Sequence, residues 1–139
     1  MTEVRALTVK RPWAALIASG IKGIENRTWW TSYRGPLLIH AGQGWDPQAA
    51  LFATRIGCWP SPGYGVQALH PQGIVAVAEL VDVCGGLPCR CGPWAMADSR
   101  HWRLSNVRAL TEAVPAKGAL GLWRPSADVV DAVMAGVEQ

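Results

Sequence analysis

The segment Gly20-Ile21-Lys22-Gly23-Ile24-Glu25-Asn26-Arg27 gathers a cation, a carboxylate and a guanidinium within six residues. Gly20 reads as the end of a helix, so Lys22 stands at a loop tip entering a strand. On that strand Glu25 and Arg27, two apart, share a face with Trp29. Lys, Glu, Arg and Trp converging beside a helix end would form a polar pocket with an aromatic wall, fit for a planar, hydrogen-bonding ligand such as a nucleobase. As spacing alone the pattern is unspecific, because Lys–Glu pairs decorate many strands.

Glu79 is the second candidate. In Gly73 to Val83, strict alternation places it on the face of Val75, Val77, Val81 and Val83. A carboxylate there must be paired, hydrogen-bonded or protonated, since bare burial is too costly. A structural ion pair and a functional role are equally open, and Lys22, Arg27 or another cation is the expected partner. Cys84, Cys89 and Cys91, with Cys58 or His101, raise the question of zinc. Structural zinc knuckles separate paired cysteines by two to four residues, whereas Cys89 and Cys91 are separated by one. The expectation is therefore no cofactor and no tightly bound metal. His40, His70 and His101 are candidate general bases, without a suggestive pair among them. Trp29, Trp30 and Trp102 would stack on bases or, more commonly for strand tryptophans, pack in the core.

These residues sit in a chain of 139 that fits one domain, taken as 1–139. Half the residues are apolar and 17 % are charged; 15 glycines and 10 prolines supply many turns. That balance suits a small β-rich fold and disfavours a helical bundle or coiled coil. The longest uncharged window, 56–78, is broken by glycines and prolines, so no bilayer helix and no membrane partner is expected. The opening MTEVRALTVK lacks an apolar signal core, which predicts a cytoplasmic protein with reduced thiols. Net charge is +3, with basic blocks at 1–40 and 87–124 that a fold could merge into one face. Ten of the thirteen basic residues are Arg, suited to forked phosphate contacts and to stacking.

The elements that must position the candidates follow from local pattern. Leu7 to Lys10 reads as a strand. Pro12 opens a helix carrying Trp13, Leu16 and Ile17, and Gly20 closes it. Ile24 to Trp30 is a strand, Tyr33 to Pro36 a turn, and Pro36 to Ala41 an apolar central strand. Asp46-Pro47 starts a helix running to about Arg55. Gly73 to Val83, His101 to Leu110 and Gly118 to Trp123 are strands, with loops over 58–72 and 84–93. Ser126 caps a last helix with Val129, Val130, Val133 and Met134 on one face and Gly136 at its end. The order β-α-β-β-α-β-β-β-α indicates an α+β fold, a small mixed β-barrel flanked by short helices.

The stretch LTVKRPWAALIASGIKGIENRTWWTSYRGPLLIHA, Leu7 to Ala41, resembles the opening of an ASCH domain, as in small stand-alone bacterial members of that family. The landmarks are Pro-Trp-Ala, Gly-x-Lys-x-x-Glu-x-Arg, Trp, Tyr-Arg-Gly and Ile-His-Ala. GIVAVAELVDV, HWRLSNVRAL and PAKGALGLWRP resemble later sections, while 42–72 and 84–100 are taken as lying outside the resemblance. It implies a PUA-like barrel whose cleft is lined by Lys22, Glu25 and Arg27, with Trp13, Tyr33, Arg34 and Glu79 nearby. It implies binding of nucleic acid, RNA in preference to DNA, or of a modified nucleoside. Some relatives deacetylate N-acetylated cytidine with a Lys, a Thr three residues later and a Glu on a later strand; Lys22 and Glu79 fit, and Glu25 replaces the Thr. A carboxylate there opposes use of the lysine as a nucleophile, which favours a binding module over an amidohydrolase. The resemblance also implies ribonuclease activity as an alternative, with His40, His70 or His101 as general base, and a protein-interaction role, as in the eukaryotic coactivator that carries the domain, is the third class.

Overall fold

The computed structural model describes residues 3–55, 71–85 and 91–137. Its elements are β1 (Arg5–Arg11), α1 (Trp13–Ala18), β2 (Ile24–Arg27), β3 (Gly35–Trp45), α2 (Pro47–Arg55), β4 (Gly73–Gly85), β5 (Arg100–Val114), β6 (Leu122–Trp123) and α3 (Ala127–Val137). The element order is the one the sequence predicts. The expected loop over 58–72 falls almost wholly outside the described residues, as do Cys58, His70 and Cys89.

The six strands form one sheet in the order β2-β5-β4-β3-β1-β6, with β1 and β3 parallel and every other pair antiparallel. β3, buried throughout Leu37–Ala41, is central, as its unbroken apolar run requires. Period-two alternation divides the core. Leu7, Val9, Leu37, Ile39, Ala78 and Leu80 meet Ala14 and Ile17 of α1 on one face. Ala6, Leu38, Ile74 and Val77 meet Val133 of α3 on the other. Ser126 caps α3 by accepting from the Val129 amide at 3.2 Å. The helix runs past Gly136 to Val137 rather than ending there.

The expected barrel is not closed. Among the described residues the edge strands β2 and β6 do not pair, and with four and two residues they are too short to complete a ladder around the core. Instead, β1 and β2 face each other across a cleft, bridged by Arg27 donating to the Thr8 carbonyl at 2.7 Å. Alternation in β4 also departs from the ideal. Its pairing with β5 shifts at 74–76, 77–79 and 80–82. Val75 and Val83 consequently pack with the α1-side core and Val77 with the α3 side, while Val81 is exposed. The single valine face assumed for Glu79 is broken by these irregularities. Among the described residues, no helix is long and apolar enough to cross a membrane.

Candidate functional site

The cleft begins with how α1 ends. Gly20 takes the left-handed conformation (φ +81°), its amide bonding back to the Ile17 carbonyl, and the Lys22 amide bonds to Leu16 at 3.1 Å. That reversal drops Lys22 into the interior, 2 % exposed, instead of leaving it at a loop tip. Its Nζ donates to the Ile24 carbonyl and, at 2.9 Å, to Glu25 Oε1. It also lies 5.2 Å from the centre of the Trp13 ring. Glu25, also buried, accepts on its other oxygen from Arg27 Nε at 3.0 Å. One carboxylate thus joins an ammonium and a guanidinium, both of its oxygens committed.

Trp13 is fixed from outside this triad. Its indole N–H donates to Asp46 Oδ2 at 2.9 Å, while Asp46 Oδ1 accepts from the Gln48 amide at 3.0 Å and so caps α2. Phe52 and Trp94 pack against Trp13 at 6.4 and 6.0 Å between ring centres. Asn26 clamps the opposite wall, donating to the Trp94 carbonyl at 2.7 Å and accepting from the Met96 amide at 2.9 Å. Trp13, Glu25 and Asn26 are shared by two hollows. One, of about 460 Å³, lies between β1 and β2 and includes Thr8, Lys10, Arg27 and Gln43. The other, of about 390 Å³, includes Lys22, Asp46, Phe52, Trp94 and Met96. Each matches the volume of a small-molecule site.

Of the residues singled out from the sequence, Trp13, Lys22, Glu25 and Arg27 come together. Tyr33 and Arg34 do not join them. Tyr33 Oη sits between the carbonyls of Glu3 and Pro36, pinning the turn into β3. Burial first, then the nearby charge of Glu3, push its hydroxyl above the usual tyrosine range. Arg34 is exposed, bonds to the Thr31 and Tyr33 carbonyls and lies over Trp30. Glu79 is half-buried, lines neither hollow, and pairs with no cation among the described residues, against the expected contact with Lys22 or Arg27. Trp102 is core, edge-on to Trp29 at 4.7 Å, whereas Trp30 is exposed. His40 is held in a hydrogen-bonded network. Its Nε2 donates to the Ala116 carbonyl at 2.7 Å, its Nδ1 is hydrogen-bonded with Thr8 Oγ1 at 3.2 Å, and Thr8 accepts from Trp123 Nε1 at 3.1 Å. Cys84, Cys91 and His101 form the one cluster of possible metal ligands among the described residues.

Asp46, Asn26 and Trp94 were missed as parts of the site. The Asp46-Pro47 helix start was visible, but nothing local signals that its carboxylate also holds an indole 33 residues away.

The described residues form an open mixed sheet with three short helices, and a buried ionic triad lies beside an aromatic wall. The ASCH domain family model matches residues 7–112, and the chain belongs to that family. The match runs through 42–72 and 84–100, which the sequence had set outside the resemblance, and stops before 115–125. Activating signal cointegrator 1 of Homo sapiens is 51 % identical over 35 residues, covering 25 % of this chain and 6 % of the human protein. The Mus musculus protein of the same name is 46 % identical over 43 residues, covering 30 % and 7 %. The matched stretches thus span under a tenth of the length of these relatives.

Proposed function

We propose that the chain is a binding module that takes a nucleobase, in single-stranded RNA in preference to DNA or as a modified nucleoside, in the cleft around Lys22, Glu25 and Arg27. The observation that carries this reading is the buried triad joined through Glu25. Lys22 gives N–H groups to Ile24 and Glu25, so its Nζ is engaged by two acceptors of its own chain. A lysine nucleophile needs a lone pair aimed at its substrate, and a paired catalytic carboxylate would have to come from Glu79, which stands apart. Arg27 commits Nε and one terminal nitrogen to Glu25 and Thr8, which fixes the plane of its fork. Its remaining donors are available for a base edge, and the Trp13 indole supplies the flat wall. Exposed Lys10 on the rim fits a backbone phosphate. Membership of the ASCH family supports a nucleic-acid ligand in general terms.

Fluorescence anisotropy with a short labelled RNA tests this. Affinity is expected to fall with salt, by about 0.7 in log–log slope for each neutralised phosphate, and Lys10→Ala should lower that slope by about this amount. Arg27→Lys, which keeps the charge but loses the fork, should change base preference with little change in slope. Turnover of N-acetylated cytidine at catalytic protein concentrations, with negligible RNA affinity, would establish the amidohydrolase reading instead.

A further inference from the structure

We propose that the reduced protein binds one zinc ion through Cys84, Cys91 and His101. The sequence spacing argued against a knuckle, but the three-dimensional grouping does not use a knuckle. Cys84 and His101 are direct cross-strand partners on β4 and β5, and Cys91 returns to them from the connection between those strands. The three donor atoms lie within 4.8 Å of one another. Cys84 Sγ is 3.0 Å from Cys91 Sγ and 3.8 Å from His101 Nδ1. A tetrahedral zinc with ordinary bond lengths sets two sulfurs about 3.8 Å apart and sulfur and nitrogen about 3.6 Å apart. The Cys84–His101 spacing fits as it stands, and the two sulfurs need to open by about 0.8 Å.

A second, independent feature is the histidine's orientation. His101 is buried, and its Nε2 donates to the Met96 carbonyl at 2.5 Å. That bond puts a proton on Nε2 and leaves Nδ1 as the ring nitrogen facing Cys84 Sγ, 3.8 Å away. A backbone carbonyl holding the far nitrogen is the arrangement that orients metal-bound histidines. Two sulfurs and one imidazole select zinc over the oxygen-seeking divalent ions. Cys84 is disulfide-bonded in this structure. A disulfide sulfur is not a zinc ligand, so the site belongs to the reduced protein. The ion would fasten the far side of the cleft wall, since Met96, which holds His101, is itself held by Asn26 beside Glu25. The proposal stands whatever ligand the cleft takes.

Cobalt titration of the full chain, freed of metal and kept in a phosphine reductant, tests it. Thiolate-to-cobalt absorption should saturate near one equivalent and be displaced by zinc. Cys91→Ser and His101→Gln should each weaken cobalt binding by about tenfold or more. Zinc X-ray absorption of the wild-type protein, which depends on no variant folding, should show sulfur at about 2.3 Å and nitrogen at about 2.0 Å. Absence of thiolate absorption at one equivalent, an oxygen-only shell, or unchanged binding in both folded variants would overturn the assignment.

Discussion

Two buried polar networks meet at Thr8. On one side its carbonyl accepts from Arg27 and leads to Glu25 and Lys22; on the other its hydroxyl links Trp123 to His40. The first is built of charges and opens on the cleft. The second contains no carboxylate, ammonium or guanidinium and is packed so closely that a Cβ on Gly118 would come within 2.7 Å of Thr8 Oγ1 and 2.8 Å of His40 Cε1. Hydroxyl and indole groups cost little to bury once their hydrogen bonds are made, whereas an ion triad carries a desolvation penalty that apolar packing would avoid. Retaining charges where a hydrophobic patch would serve stability is consistent with a ligand that needs them.

That contrast can be broken in graded ways. Glu25→Leu strips the shared carboxylate from two cations, one of them Lys22 in the interior, and should cost about 3–5 kcal/mol in urea unfolding. Lys22→Met leaves Glu25 paired with Arg27 and should cost clearly less. Equal losses would mean the triad is not organised around its carboxylate. In the second network, Thr8→Val removes the hydrogen-bond partner of the Trp123 N–H and of His40 Nδ1 and should cost about 1–3 kcal/mol. A loss as large as that of Glu25→Leu would erase the distinction between the networks. Asp46→Ala removes the α2 cap and the indole's acceptor, for about 1 kcal/mol of stability. It should also weaken ligand binding by loosening Trp13, and an unchanged affinity would remove Trp13 from the site.

The smallest effect is in alkali. Tyr33 is raised above its ordinary value of about 10, so the unfolded chain loses that proton first and the native state binds more protons. Its contribution is whole below about pH 10 and declines as pH rises toward the folded value. Tyr33→Phe should flatten that decline in urea midpoints measured above pH 9–10 while leaving RNA affinity alone, because Tyr33 holds a turn rather than the cleft.

Much of the site was legible because it is local. Gly20, Lys22, Glu25 and Arg27 lie within eight residues, where a helix stop and strand alternation fix relative direction. Glu79 misled because period-two reasoning assumes an unbroken ladder, and the shifts along β4 redistribute its faces. Asn26 was passed over as the residue between two charges; its partners, Trp94 and Met96, are 68 and 70 positions distant. The barrel failed for a related reason. The strands were visible in the sequence, but closure depends on edge lengths, and β2 is only four residues long.

The most direct measurement is a crystal structure of the protein grown with cytidine, uridine or a short RNA. The account predicts a base lying against Trp13 with its edge on the Arg27 fork, Lys22 and Glu25 remaining joined. A base bound elsewhere, or a ligand that pulls Lys22 from Glu25 to face a scissile amide, would contradict it.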